Sequence, residues 1–342
     1  MLQEFLTQYG LFLAKSLTVL AVLLVVIAKI VSASMHAAPG TSEHLKVRKL
    51  NRRLRGLQRS LEAAVMPEKE FKALRKADKN ETKKLEKEGS DRHRVYVLDF
   101  NGDMRASAVT MLREEVTAVL SVARPKDEVL LRLESPGGVV HGYGLASSQL
   151  ARLREGGVKL TVAVDKVAAS GGYMMACTAN QIVAAPFAIL GSIGVVAQIP
   201  NVHRLLKKHD VDVELHTAGE YKRTLTVLGE NTEKGREKFR EELEETHTLF
   251  KEFVHAQRPS LDVAKVATGE HWYGQQALAL GLCDALQTSD DWLVKAAKDA
   301  DLFEVKFEPA RNVSQRLSGL LGAAGTRVID ALADRLESKR FP

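Results

Sequence analysis

The feature that most constrains the fold of this chain is a long stretch without charge. Between Val167 and Val202 the sequence contains no Asp, Glu, Lys, Arg or His. A membrane-spanning helix needs about 20 consecutive apolar residues, whereas glycines and Pro186 divide this stretch into shorter pieces. The stretch is therefore better explained as a buried core made of strand, turn and helix.

Segments typical of strands and of helices alternate around this core. Short apolar runs predict strands at Arg94–Phe100, Glu128–Leu133, Lys159–Asp165, Gln181–Ala185 and Val211–His216. Apolar residues spaced three and four apart predict helices at Ala106–Val122, Gly142–Arg154, Gly171–Thr178, Asn201–Lys208 and Thr232–Gln257. This alternation predicts an α/β fold with a mostly parallel sheet that is covered on both faces.

The N-terminal part of the chain has the length and composition of a transmembrane helix. The run Leu11–Val31 is apolar except for Lys15 and Lys29 near its ends, where lysine side chains can reach the head groups. We therefore interpret residues 1–32 as a membrane anchor. A cleaved secretory signal is the alternative, but no Lys or Arg precedes the apolar run.

The segment 33–93, after the anchor, carries the excess of positive over negative charge in this chain. Between Glu43 and Arg94 there are 17 Lys and Arg against 9 Asp and Glu, whereas the whole chain has 49 against 43. Leucines three and four residues apart predict an amphipathic helix here, which could form a short coiled coil. Acidic lipid head groups fit this charge better than nucleic acid, because no base-reading module is present.

The remaining sequence predicts one large domain and a terminal helix. We assign 94–310 to the α/β domain and 311–342 to a C-terminal amphipathic helix. Cys177 and Cys283 lie far apart and form no Cys-x-x-Cys pair, so we interpret both as core residues. The sequence predicts neither a metal site nor a cofactor.

Two glycine-containing turns follow predicted strands, where a parallel sheet forms its ligand crevice. The first, ESPGG, ends at Gly138, and the second, AASGGY, contains Ser170. The N–H groups of Gly137 and Gly171 could form an oxyanion hole beside Ser170, which would then be a nucleophile. Ser170 could equally be a helix N-cap, and spacing alone does not separate these interpretations.

A nucleophilic serine needs a general base. No histidine lies between His141 and His203, so a nearby Ser-His pair is not indicated. A lysine can act instead if its amine is neutral, which costs about 4.6 kcal/mol at pH 7 from an ordinary pKa of about 10.4. Burial can supply this free energy, but spacing does not select one lysine.

The ordered strings SPGG, VAASGGYMMACTAN, GSIGVV and AGEYKRTLT resemble the signal peptide peptidase A-like serine peptidases. The later strings GENTEKGREKFREELEETHTLFKEFVHAQRP and ATGEHWYGQQALALGLCDAL are similar to the SohB branch of that family. The resemblance implies a ClpP/crotonase-type fold behind an N-terminal transmembrane helix. It also implies endopeptidase activity on membrane-associated peptides or proteins, including signal-peptide-like substrates.

The same resemblance assigns roles to single residues. It implies that Ser170 is the nucleophile, that Lys222 is the general base and that Ser192 holds the lysine amine in place. Gly137 and Gly171 would supply the oxyanion N–H groups. The resemblance further implies a homo-oligomer, in which Lys222 can serve the Ser170 of a neighbouring subunit.

The resemblance also implies a location in the bacterial cell inner membrane. Enzymes of this family generally place the catalytic domain outside the cytoplasm. The positive-inside rule, applied to the basic segment after the anchor, predicts the cytoplasmic side instead. The side of the membrane therefore stays open at this point.

Three other functions fit parts of the sequence. A Clp-type Ser-His-Asp peptidase needs a histidine soon after Ser170, where none occurs. A crotonase-type acyl-CoA enzyme could use the glycine turns with Glu134 as its base, but would leave Ser170 and Lys222 without a role. A membrane scaffold with a degenerate site is the alternative that is not an enzyme.

Overall fold

The computed structural model describes residues 4, 7–22, 44–87 and 92–309. The chain divides into two compact units: one is Leu45–Phe307, and the other consists of Met1–His44 and Glu308–Pro342. Among the described residues, no helix is long and apolar enough to cross a membrane. The predicted anchor, 1–32, lies partly outside the described residues, and the predicted C-terminal helix, 311–342, lies wholly outside them.

Strands and helices alternate through most of the larger unit. The strands are β1 His44–Lys49, β2 His93–Asn101, β3 Glu128–Glu134, β4 Lys159–Val164, β5 Val167–Ala169, β6 Gln181–Ala184, β7 Ile189–Gly191, β8 His271–Tyr273, β9 Ala285–Leu286 and β10 Ala300–Glu308. Residues 7–22 are helical and are called α1. The later helices are α2 Leu50–Val65, α3 Glu68–Lys87, α4 Val109–Val122, α5 Val140–Glu155, α6 Gly171–Ala176, α7 His203–Lys208, α8 Glu233–Gln257, α9 Val263–Val266, α10 Gly274–Ala279 and α11 Ser289–Ala296.

The predicted α/β fold with a mostly parallel sheet is confirmed. The main sheet has the strand order β1-β10-β2-β3-β4-β6-β9. The pairs from β10 through β2, β3, β4 and β6 to β9 are all parallel. A smaller sheet has the strand order β5-β7-β8, in which β5 and β7 are parallel and β7 and β8 are antiparallel. Along the chain, β5 leads into α6.

Both faces of the main sheet are buried, as β2 illustrates. Tyr96 and Leu98 belong to the larger apolar core, which also contains buried residues of α4, α5 and α6. Val95 and Val97 point to the other face, where Leu50 of α2 and Leu293 of α11 cover them. Because successive side chains of a strand alternate between faces, a strand buried on both sides is apolar almost throughout.

A buried asparagine at the start of α2 binds β10, the last strand in the chain. The side chain of Asn51 donates to the carbonyl of Ala300 (2.9 Å) and accepts from the amide of Leu302 (2.7 Å). Asn51 is 7% exposed, so these bonds satisfy an amide that burial would otherwise penalise. The start of α2 is thereby fixed to β10.

One predicted strand is wrong. Val211–His216 has no regular structure and no strand partner in the described part of the chain. Its apolar side chains Val211, Val213 and Leu215 are 38–53% exposed. The apolar–polar alternation there resembles that of a half-buried strand, but alternation alone does not provide a sheet edge to pair with.

Candidate active site

Ser170 lies between β5 and α6 in a backbone conformation that is unusual for a residue with a side chain. Its φ is +52° and its ψ is −119°, and its side chain makes no capping hydrogen bond to α6. A non-glycine residue in such a region costs about 1–3 kcal/mol and occurs preferentially at functional sites. The geometry therefore favours a presented hydroxyl over the helix-cap interpretation.

The backbone of Ser170 is held firmly in this conformation. Its amide donates to the carbonyl of Gly191 (2.8 Å), and its carbonyl accepts from the amide of Met174 (2.9 Å). The first bond ties the nucleophile candidate to β7, and the second ties it to the first turn of α6. The side chain is left without a structural task among the described residues.

The structure brings Gly137, Ser170 and Gly171 together. A Cβ added to Gly137 would lie 2.7 Å from the Cβ of Ser170 and 2.8 Å from the nitrogen of Gly171. Gly137 has a φ of +90°, so both conformation and space require glycine here. The two glycine turns therefore meet at the Ser170 side chain.

The amides of the two turns differ in their hydrogen bonds. Gly171 is the first residue of α6, where amides have no partner within the helix and favour negative charge. The amide of Gly137 instead donates to the hydroxyl of Ser135 (3.1 Å). For the next amide, that of Gly138, no acceptor is found among the described residues.

Ser192 lies on the same loop as the partner of Ser170. It follows Gly191 directly, has a φ of +53° and donates its amide to the carbonyl of Glu270 (2.6 Å). The next carbonyl, that of Ile193, lies 3.3 Å from Nε2 of His247 on α8. The loop that carries Ser192 is thus held from two sides.

No hydrogen bond joins Lys222 to Ser170 among the described residues. It is exposed, its amide donates to the carbonyl of Gly219 (3.2 Å), and its amine has no hydrogen bond or ion pair in the described part of the chain. Its neighbours are fixed to α8, because Glu220 pairs with Lys234 (2.6 Å) and Tyr221 lies against Lys234 and Lys238. Lys222 therefore projects from a segment that is docked at the start of α8.

The other candidate groups are already engaged or inert. The carboxylate of Glu134, considered above as a base, pairs with Lys166 (3.0 Å) and is 45% exposed. Burial raises the pKa of the Cys177 thiol to about 12 and that of the Cys283 thiol to about 11. Both thiols stay protonated at neutral pH, which excludes them as nucleophiles.

Sequence reasoning missed the residues beneath the glycine turns. Ser135 and Tyr143 are fully buried and are hydrogen-bonded to each other (2.6 Å) directly below Gly137. His247 was missed as well. The signal for Ser135 was its place in the SPGG turn, whereas Tyr143 and His247 sit at helical spacings that indicate core packing and nothing more specific.

Family and sequence comparisons agree with each other. The descriptions "Peptidase family S49 N-terminal" and "Peptidase family S49" match residues 4–150 and 152–303. A Haemophilus influenzae protein named "Probable protease SohB" is 54% identical, with 92% of this chain and 93% of that protein covered. A protein of the same name from Buchnera aphidicola subsp. Schlechtendalia chinensis is 50% identical, covering 85% of this chain and 99% of that one.

The matches to solved structures are far more distant. A 1510-N membrane-bound stomatin-specific protease in complex with a substrate peptide is 11% identical, with 68% of this chain and 99% of that chain covered and a TM-score of 0.40. The ClpP protease catalytic domain from Plasmodium falciparum is 8% identical, with 57% and 86% covered and a TM-score of 0.35. The sequence relatives, not these structures, identify the family.

Proposed function

The chain belongs to peptidase family S49, on the branch of its SohB relatives, and we propose that it is a membrane-bound serine endopeptidase with a Ser170–Lys222 dyad. The observation that carries this proposal is the backbone of Ser170. It is strained at a φ of +52°, it lies against Gly137 and Gly171, and its hydroxyl has no capping role. These are the properties of a serine that is presented to a substrate.

The proposed reaction proceeds through an acyl-enzyme. The Ser170 hydroxyl attacks the peptide carbonyl while the neutral amine of Lys222 takes its proton. The tetrahedral intermediate collapses, the lysine ammonium returns the proton to the leaving amine, and an ester to Ser170 remains. Water, activated by the same amine, then hydrolyses this ester and regenerates the serine.

The oxyanion needs two donors close to Ser170. Gly171 fits this role because its amide stands at the start of α6. We predicted Gly137 as the second donor, but its amide would first have to leave Ser135. Gly138 offers an amide from the same turn without that rearrangement, so we propose Gly138 as the second donor in the resting chain.

A second copy of the chain would complete the site. Lys222 is exposed in the single chain, and so are large apolar side chains of the surrounding segment, including Val196 (91%), Leu205 (57%) and Leu215 (53%). Large apolar side chains that are exposed in one segment are consistent with an interface. A neighbouring subunit packed on this segment would remove water from the lysine, which favours the neutral amine, and would bring it to a Ser170 with Ser192 beside it.

The substrates that we propose are membrane-associated peptides and proteins, including signal-peptide-like segments. The apolar run Leu11–Val31 would anchor the enzyme in the bacterial inner membrane, and the basic segment after it would contact lipid head groups. Such an anchor keeps the enzyme at the surface where these peptides occur.

Labelling with a fluorophosphonate tests the dyad, because this reagent reacts with activated serines. We expect the wild-type protein to be labelled, Ser170→Ala to lose labelling and Lys222→Ala to lose most of it. Lys295→Ala, which removes an exposed lysine of α11, serves as the matched control and should be labelled like the wild type. Undiminished labelling of Ser170→Ala would refute the proposal.

A further inference from the structure

A buried chain of hydrogen bonds connects the first glycine turn to a tyrosine. The amide of Gly137 donates to Oγ of Ser135 (3.1 Å), Oγ of Ser135 lies 2.6 Å from the hydroxyl of Tyr143, and that hydroxyl donates to the carbonyl of Asp103 (2.9 Å). Ser135 and Tyr143 are both completely buried. The two hydrogen bonds of Ser135 are therefore shielded from solvent, where hydrogen bonds are strongest.

The donors and acceptors of these three hydrogen bonds can be arranged in only one way. The tyrosine hydroxyl has a single proton, and the carbonyl of Asp103 can only accept, so Tyr143 donates to Asp103. Ser135 must then donate its own proton to Tyr143, which leaves its lone pairs for the Gly137 amide. Burial raises the pKa of Tyr143, so the phenol keeps the proton on which this order depends.

The ring of Tyr143 supports the second glycine turn. A Cβ added to Gly171 would lie 2.4 Å from Cγ of Tyr143, so the ring is packed directly against this backbone. The backbone of Ser135 joins the two turns from the other side, because its carbonyl accepts from the amide of Ala169 (3.0 Å), the residue before Ser170. The side chain of Tyr143 thus contacts the second turn with its ring, and its hydroxyl is linked to the first turn through Ser135.

We propose that Tyr143 is a positioning residue for peptide hydrolysis. The ring of Tyr143 packs against the backbone of Gly171 and fixes its position. The hydroxyl of Tyr143 fixes the amide of Gly137 through the hydrogen bonds of Ser135. The amides of both turns are thereby held beside Ser170 before the substrate arrives. This inference rests on the proposed peptidase function and adds to it a residue that touches neither the substrate nor Ser170.

The test compares two buried tyrosines that differ in their partners. Tyr173 is also completely buried, and its hydroxyl also donates to a backbone carbonyl, that of Leu282 (3.1 Å). Its hydroxyl makes no bond to either glycine turn among the described residues. Tyr143→Phe and Tyr173→Phe therefore each remove one hydroxyl from a completely buried ring, and both should lower the melting temperature of the full chain.

The rate of fluorophosphonate labelling separates the two variants. One hydrogen bond is worth about 0.5–1.5 kcal/mol, so Tyr143→Phe should slow the maximal labelling rate about threefold to tenfold while leaving the half-saturating reagent concentration unchanged. Tyr173→Phe should be labelled at the wild-type rate. Ser135→Ala should also be labelled slowly. The double variant Ser135→Ala/Tyr143→Phe should be labelled no more slowly than the slower single variant, because both substitutions break the same series of hydrogen bonds.

Equal labelling rates for Tyr143→Phe and Tyr173→Phe would overturn the inference, as would additive losses in the double variant. Labelling of Ser170→Ala at the wild-type rate would instead overturn the proposed function itself. The two failures are therefore distinguished within one series of variants.

Discussion

The amide of Ser170 donates to the carbonyl of Gly191 across a distance of 2.8 Å, and this bond joins the two loops of the candidate site. Gly191 is followed directly by Ser192, the residue expected to hold the lysine amine. A Cβ on Gly191 would lie 2.7 Å from the ring of Trp272, so this ring packs directly against the backbone of the loop. The positions of Ser170 and Ser192 are therefore coupled through one glycine.

This coupling predicts the effect of Gly191→Ala. The added methyl group would meet Trp272, and the φ of +95° is unfavourable for alanine, so the loop must shift and carry Ser170 with it. We expect fluorophosphonate labelling to fall at least tenfold. Gly157→Ala is the matched control, because its φ is +74° but nothing lies within 4 Å of its added Cβ. It should lose stability through strain yet keep the wild-type labelling rate, and equal labelling of the two variants would contradict the coupling.

Gly137→Ala should remove most of the peptidase activity. The methyl group would occupy space 2.7 Å from the Cβ of Ser170, where the substrate carbonyl must approach. The clash also displaces this turn and with it the amide of Gly138, the proposed second donor. Loss of one oxyanion donor typically costs about 10²–10³-fold, and we expect a decrease of about that size in peptidase activity. Gly144→Ala on α5 has open space around its Cβ and should keep full activity. Activity of Gly137→Ala within threefold of wild type would argue against this site.

Subunit mixing tests whether Lys222 acts on a neighbour. Ser170→Ala subunits retain the lysine and Lys222→Ala subunits retain the serine, so each variant alone should be inactive. If the dyad forms between subunits, co-assembled mixtures should recover part of the wild-type activity. Mixtures that form oligomers and stay inactive would show that the dyad forms within one chain. Double-variant Ser170→Ala/Lys222→Ala subunits mixed with wild type give the control for dilution.

A buried carboxyl group away from the site predicts how stability depends on pH. Glu115 is 4% exposed, and its Oε1 accepts from the amide of Phe307 (2.9 Å). Burial raises its pKa from 4.5 to about 7. The folded protein therefore holds this proton more tightly than the unfolded chain does. The free energy of unfolding should fall as pH rises from about 4.5 to about 7, by about 3 kcal/mol.

Urea unfolding at pH 5 and pH 8 measures this effect. Glu115→Gln cannot ionise, so it should lose most of the difference between the two pH values and exceed the wild-type stability at pH 8. Glu114→Gln changes an exposed neighbour and should keep the wild-type difference. A pH dependence in Glu115→Gln equal to that of Glu114→Gln would refute the assignment to Glu115.

The sequence predicted the local elements better than their pairing. In the α/β domain, four of the five predicted strands and all five predicted helices occur close to their expected bounds, because long apolar runs and helical spacing are local signals. The short strands β5, β7 and β8 were missed, since three residues carry too little periodicity. β10 was also missed, and its place between β1 and β2 depends on contacts from distant parts of the chain.

The candidate site was predictable where it depends on backbone freedom. The glycines around Ser170 indicated a close approach of backbone, and the structure has one there. A base was not predictable, because spacing does not distinguish Lys222 from the other lysines of the sequence. Tyr143 was not predictable either, since a tyrosine on the apolar face of a helix looks like any other core residue.

The bond between Asn51 and β10 has a consequence for modularity. Because Asn51 fixes α2 to Ala300 and Leu302, the larger unit begins and ends at the same sheet edge. Domains whose ends lie close together tolerate insertion into other chains and circular permutation. We therefore expect the larger unit to tolerate fusion or circular permutation at this edge of its sheet.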